Sequence, residues 1–359
     1  MVSPERLALP HVLSLTPYIP GAQPPGAGWI KLNTNECPYP PSPLVDAAIA
    51  SEIERLRLYP DSRADVFRKA VATYHGVDVA QVIAGNGSDD LLNLLVRAFS
   101  GPGKPAGMNT PSYTYYANLA AFTGQPIVEI PLGPSMVPDL APIVESNVNL
   151  FFLCSPHAPS GVAVPRAIVA DLARAFSGLL VVDEAYAGFA DDDAIPLLCE
   201  FPRLVVVRTL SKSHALAGLR VGYALAHPDV IRLLDVVRDF YNLDRLAIAG
   251  AAAAMSDAAY YQAIRATVRQ TRSTTLDSLR ARGFATYESQ ANFVFTEPRR
   301  PTGECGAQVA RGLFDFLETR KILVRHFRGD PRTEGHLRIT IGTPEDMVAM
   351  VSAIDDWLR

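Results

Sequence analysis

From about residue 80 to residue 226 the chain alternates short apolar runs, rich in β-branched residues, with longer stretches whose apolar positions recur at helical spacing. "QVIAG" precedes "SDDLLNLLVRAFS", and "GMN" precedes "YTYYANLAAFTG". "PIVEI", "VNLFFLC" and the helical "PRAIVADLARAFS" follow, then "GLLVVDEAY", "RLVVVRTLS" and "LRVGYALA". Such alternation predicts an α/β fold with a mostly parallel central sheet flanked by helices on both faces, and ligands of such sheets collect at the strand C-termini.

After Pro228 the pattern changes to long helical stretches, "DVIRLLDVVRDFY" and "AAYYQAIRATVRQTRSTTLDSLRARG". Shorter units follow: "NFVF", "ECGAQVARGLFDFLETR", "ILVRHF", "HLRITI" and "PEDMVAMVSAIDDWLR". This predicts a smaller α+β domain joined by a long helix. Four prolines in "PYPPSP", Pro38 to Pro43, exclude a regular element there. The expected division is an N-terminal arm (1–30), an N-terminal part of the small domain with an active-site segment (31–58), a large domain (59–257) and a small C-terminal domain with its connecting helix (258–359).

A chain of 359 residues exceeds the size at which single cores stop growing, which agrees with two domains. With 48% hydrophobic and 19% charged residues and a net charge of -4, the composition is that of a soluble globular protein without a nucleic-acid footprint. "MVSPERLALPHVLSL" lacks the apolar run of a signal peptide, and no stretch approaches the roughly 18 apolar residues of a membrane span. Cys37, Cys154, Cys199 and Cys305 are scattered, without a CxxC pair, which suits reduced thiols in a cytoplasm. Neither they nor the dispersed histidines have metal-site spacing. No metal is expected.

Candidate chemistry gathers at the strand ends. "VIAGNGSDDLLNLLV" reads as a strand, a glycine-bounded turn and a helix beginning near Ser88. It is either an ordinary capped turn or a phosphate site, where glycines admit the ligand and free N–H groups at a helix start bind it. Asp183 ends the apolar run of "GLLVVDEAYAGF": as a cap for the next element, or as a buried carboxylate that holds a pyridinium nitrogen protonated, with Tyr186 donating to the same cofactor's phenolic oxygen. Lys212 in "VVVRTLSKSHALAGLRVGYALA" is a loop lysine whose head reaches water, or a nucleophile for an aldehyde, with Ser211 and Arg220 gripping a phosphate. Apolar neighbours and the cationic Arg220 would lower its pKa. Lysine, carboxylate and glycine-turn phosphate site together describe a pyridoxal phosphate pocket.

The strings "LNTNECPYPPSP", "LYPD", "GNGSDD", "PSYTYY", "SPHAPSG", "VVDEAYAGF", "RTLSKSHALAGLRVGYA", "ANFVF", "ILVR" and "LRITIGTPED" run in order from Leu32 to Asp346. In them the chain resembles the fold type I aminotransferases, and more narrowly the histidinol-phosphate aminotransferase family. The resemblance implies Lys212 as the Schiff-base lysine, Asp183 as partner of the pyridinium nitrogen and Tyr186 as donor to the phenolate oxygen. Asn86, Gly87 and Ser88 then form the phosphate loop, with Ser211 and Arg220 completing the cup. Tyr113 matches the aromatic stacked on the cofactor ring, and Tyr59 a tyrosine that reaches the cofactor phosphate of the neighbouring subunit. That last match implies a homodimer with shared sites.

One position departs from the family pattern: Ala158 stands in "SPHAPSG" where many relatives have an asparagine that bonds the phenolic oxygen. His157 takes that role, or is a surface histidine, or Tyr186 acts alone. Arg338 matches the reader of the glutamate α-carboxylate, and Arg325 and Tyr39 match positions that hold the phosphate ester of histidinol phosphate. The implied activity is a transaminase of histidine biosynthesis, exchanging an amino group between histidinol phosphate and 2-oxoglutarate. An aromatic amino-acid aminotransferase and a threonine-phosphate decarboxylase-like enzyme share most of these motifs. A binding or regulatory protein on a decayed transferase scaffold is argued against by the intact Lys212, Asp183 and Arg220.

Overall fold

A computed structural model describes residues 3–16, 21–24 and 26–359, so the expected N-terminal arm lies partly outside the described residues. The chain enters through β1 (Ile30–Lys31) and then builds a seven-stranded sheet from β2 (Val82–Gly85), β3 (Ala106–Thr110), β4 (Ile127–Pro131), β5 (Leu150–Cys154), β6 (Leu179–Asp183), β7 (Leu204–Thr209) and β8 (Gly222–Ala226). Its spatial order is β2-β8-β7-β6-β5-β3-β4. Strands β7, β6, β5, β3 and β4 run parallel, and β8 lies antiparallel between β7 and β2.

Both faces of this sheet are covered, which is why its strands read as continuous apolar runs. On one face Phe151, Leu153, Leu180, Val182 and Val206 pack under the helices Asp65–His75, Arg166–Ala175 and Arg245–Ser256. On the other, Leu150, Phe152, Val181, Val205 and Val207 pack under Ser88–Phe99, Tyr115–Phe122 and Pro228–Val237. The two-residue period of a strand therefore assigns Asp183, last in β6, to the face of Val181, beside its register partners Cys154 and Val207 at the C-terminal edge.

The helix Arg245–Ser256 contains the alanine-rich run that amphipathic periodicity passes over. Asp244 caps it by accepting from Ala247 N at 2.8 Å. Its small side chains are its packing device, because a Cβ on Gly250 would stand 2.9 Å from Leu219 and 3.2 Å from Ile49. The proline-rich segment is irregular as far as Ser42, which caps the helix Pro43–Glu52 with Pro43 in its first turn.

The long helix Ala258–Ala281 leads into the second unit. Here β9 (Ala285–Thr286), β10 (Phe293–Glu297), β12 (Arg325–His326) and β13 (Leu337–Thr340) form an antiparallel sheet of order β12-β13-β10-β9. A further strand, β11 (Ile322–Leu323), pairs in parallel with β1. The N-terminal segment is thus sewn to the C-terminal unit: Leu32 N donates to Leu323 O at 2.7 Å and Thr340 N to Leu32 O at 2.9 Å. Residues 33–36 are carried from there across the C-terminal edge of the large sheet, where Lys212 Nζ meets Thr34 O.

Candidate active site

The turn after β2 is built to admit an anion. Gly87 has φ +81°, a left-handed conformation that side chains resist, and a Cβ there would lie 2.6 Å from Arg220 Nη2. A Cβ on Gly222 would meet the backbone of Arg208, Gly87 and Ser88 at 2.8 Å each. Asn86 N donates to Asp90 Oδ2 at 2.9 Å and Asn242 Nδ2 donates to the same oxygen at 3.2 Å, which closes the turn. Arg220 Nη1 donates to Ser211 Oγ at 3.3 Å, while Nη2 faces Asp89 Oδ2 at 3.5 Å. The first turn of Ser88–Phe99, the Ser211 hydroxyl and the Arg220 fork thus converge on one cup, the arrangement that binds phosphate.

Lys212 sits on a one-turn helix, Leu210–Ser213, straight after β7, where Thr209 Oγ1 accepts from Ser211 N at 3.2 Å. Its Nζ donates to Thr34 O at 3.0 Å. Burial lowers the ammonium to about 8, aided by Arg338 and, less, by Arg220, against the pull of Glu36. The larger share of Arg338 comes from β13, brought over the large sheet by the second unit.

Asp183 is buried: its Oδ2 accepts from Tyr116 Oη at 2.6 Å and its Oδ1 from Ala185 N at 3.1 Å. Desolvation pushes its carboxyl up to about 6 in spite of those two donors. A carboxylate held in this way is stabilised by a cation on its open side. Tyr186 is buried edge-on to Phe293 at 5.0 Å between ring centroids, and its oxygen accepts from Asn35 Nδ2 at 2.9 Å. Burial raises its phenol to about 12.

Several sequence expectations change in three dimensions. His157 is no surface residue: it is buried, with Nδ1 2.8 Å from Ser160 Oγ and Nε2 2.8 Å from Pro111 O. Since a carbonyl only accepts, Nε2 carries the proton and Nδ1 takes the serine hydroxyl, and burial lowers the ring to about 4. Both nitrogens are committed, so His157 is not the substitute donor for the asparagine missing at Ala158. Tyr39 lies half-buried, with its phenol raised by burial, by Cys37 and by the carboxylates of Glu345 and Asp346. Tyr113 donates to Asp89 Oδ1 at 3.1 Å and meets Tyr116 edge-on, at the rim of the cup. Tyr59 is 78% exposed and stacks on Tyr241 at 4.6 Å, on the outer surface of the chain.

Arg325 and Arg338 are register partners on adjacent antiparallel strands. The guanidinium carbon of Arg325 lies 5.8 Å and that of Arg338 5.4 Å from the centroid of one ring, Phe327, and Arg338 also lies 5.2 Å from Phe293. Arg338 Nη2 donates to Asn33 O at 3.3 Å. Among the described residues no carboxylate forms an ion pair with Arg325. Like charges placed directly across a strand pair repel, and the arrangement is relieved by an anion between them.

The sequence model for aminotransferase class I and II matches residues 27–354. The chain belongs to that family. It is 44% identical over 352 residues to the histidinol-phosphate aminotransferase of Geobacter sulfurreducens, covering 96% of this chain and 98% of that protein. It is 43% identical over 357 residues to histidinol-phosphate aminotransferase 1 of Bradyrhizobium diazoefficiens, covering 98% and 99%. Among solved structures, the histidinol-phosphate aminotransferase of Sinorhizobium meliloti, in complex with pyridoxal-5'-phosphate, superimposes with a TM-score of 0.87 at 26% identity. That match covers 98% of this chain and 97% of the other.

Within this fold type I aminotransferase, Asn35, Tyr116 and Thr340 join the candidate site through bonds that no motif in the sequence marks. Tyr116 was within reach of sequence reasoning, since "PSYTYY" puts it one helical turn beyond Tyr113. Asn35 and Thr340 lie 305 positions apart and meet where the segment after β1 runs beside β13, joined by the bond from Thr340 N to Leu32 O.

Proposed function

We propose that this chain is a histidinol-phosphate transaminase that uses pyridoxal 5'-phosphate and moves the amino group of histidinol phosphate to 2-oxoglutarate, giving imidazole acetol phosphate and glutamate. The observation that carries the substrate is the cross-strand pair Arg325 and Arg338, two guanidiniums flanking Phe327. Glutamate offers a carboxylate and histidinol phosphate a dianionic ester, and forked donors suit both.

The residues present fit the cofactor. The cradle that a Cβ at Gly87 or Gly222 would fill suits its phosphate, and the buried Asp183 lacks only a cation such as a ring N–H. Bound there, pyridoxal phosphate supplies an aldehyde that takes up the amino group and a ring that draws electrons from the carbon bearing it. Asn86, Gly87, Ser88, Ser211 and Arg220 would hold the phosphate, Tyr113 would lie against the ring, Asp183 would keep the ring nitrogen protonated, and Tyr186 would donate to the ring oxygen. Lys212, lowered to about 8, has a fraction of neutral amine near neutral pH and would be the group that holds the aldehyde and moves a proton at Nζ. Second-unit residues thus select the substrate while large-sheet residues hold the reacting centre.

The functional unit is a homodimer. Leu56, Leu58, Tyr59, Phe240 and Tyr241 form an exposed apolar patch, with Phe240 85% exposed, and such a patch supports burial against a second copy. Tyr59 would then complete the neighbouring cup.

A panel of histidinol phosphate, phenylalanine, tyrosine and threonine phosphate, each with 2-oxoglutarate, tests the reading by following glutamate and carbon dioxide. Glutamate formed fastest from histidinol phosphate is the expected result. Carbon dioxide from threonine phosphate, or a preference for the aromatic amino acids, would displace it.

A further inference from the structure

Resting on the reading of Tyr186 as donor to the cofactor's ring oxygen, we propose that Asn35 is the positioning residue that orients and polarises the Tyr186 hydroxyl, which strengthens the donor that remains where Ala158 replaces asparagine. Asn35 is 1% exposed and adopts φ +58°, a conformation asparagine tolerates better than most side chains. Every polar group it has is engaged. Its N–H donates to Thr340 Oγ1 at 3.0 Å, and its carbonyl accepts from Asn292 Nδ2 at 3.0 Å. The Thr340 hydroxyl donates in turn to Asn35 Oδ1 at 3.0 Å, and Asn35 Nδ2 donates to Tyr186 Oη at 2.9 Å.

The direction of these bonds carries the inference. The Thr340 oxygen already accepts from the Asn35 backbone, so its proton goes to the amide oxygen, and this turns the NH₂ of Asn35 toward Tyr186. Tyr186 receives a hydrogen bond there and keeps its one proton for another acceptor. A phenol that accepts while it donates is the stronger donor, because each bond polarises the next. The link also crosses between units: Thr340 ends β13, Asn35 follows β1, and Tyr186 follows β6, so the hydroxyl is set by the seating of the second unit on the large sheet.

The test uses the holoenzyme and reads the pH titration of its visible cofactor band, without substrate. A donor to the ring oxygen stabilises the oxyanion most in the high-pH form, where no neighbouring N–H⁺ shares the charge, so loss of the donor raises the titration midpoint. Tyr186→Phe should raise it. Asn35→Gly, which keeps the left-handed backbone and adds no charge, should raise it by about half a pH unit, the effect of roughly one weakened hydrogen bond. In the Tyr186→Phe background Asn35→Gly should add nothing, since two residues acting through one group are not additive. Thr340→Val, which removes the hydroxyl that orients the amide and suits a strand, should give a smaller shift of the same sign and decides the matter where Asn35→Gly does not fold. If Tyr186→Phe leaves the midpoint in place, the reading of Tyr186 fails. If Tyr186→Phe shifts it while neither Asn35→Gly nor Thr340→Val does, or if Asn35→Gly shifts both backgrounds equally, the role of Asn35 is overturned.

Discussion

Asp183 is held by Tyr116 and the Ala185 amide, yet desolvation wins and its carboxyl rises to about 6. An unfolded aspartate releases its proton near pH 4, so between about 4 and 6 the native cofactor-free protein binds the extra proton and stability falls as pH rises. Asp183→Asn removes that dependence. Its unfolding free energy in the cofactor-free state, from denaturant titration, should gain on wild type as pH goes from 4 to 7, by up to about 3 kcal/mol for a shift of this size. Pyridoxal phosphate should reverse the order, because a ring cation beside the carboxylate stabilises only the wild type. A gap between the two proteins that stays constant with pH would mean that Asp183 is ionised throughout.

At the scale of elements, the turn between β2 and its helix joins β8 through glycines that have no room to grow. Gly222→Ala would press on backbone atoms of three residues, none the tip of a flexible side chain, and should cost about 1–3 kcal/mol and loosen cofactor retention on dialysis. Gly218→Ala, with nothing within 4 Å of the added carbon, should change neither. The turn of this cup was legible in the sequence because it is local: glycine, serine and two acidic residues open an amphipathic helix. The helix Arg245–Ser256 was not, since an alanine run carries no polar face to give a period, and its burial follows from close packing. Nor was the true setting of Tyr39, His157 or Asn35, each fixed by partners that only the folded chain brings near. The arginines were legible as residues and illegible as a pair, because the register of β12 on β13 makes them neighbours.

At the scale of the whole molecule, second-unit groups lie against the edge of the large sheet, and in the proposed homodimer the exposed Tyr59 would reach a second copy's cup. Mixing two inactive variants, Tyr59→Arg and Lys212→Ala, should restore activity to about a quarter of wild type once subunits exchange, since half the dimers are mixed and each then holds one intact site. No recovery despite demonstrated exchange would argue for self-contained sites. The claim on which substrate choice rests is that Arg325 grips the phosphate ester while Arg338 serves both donors. It is tested most directly by single-turnover absorbance changes of Arg325→Gln with histidinol phosphate and with glutamate, taken separately. A loss of about ten- to a hundredfold for histidinol phosphate, with glutamate far less affected, is predicted for a charge-assisted bond withdrawn from a dianion. Equal losses for the two donors would contradict it, leaving Arg325 a support of the sheet or of a step common to both half-reactions.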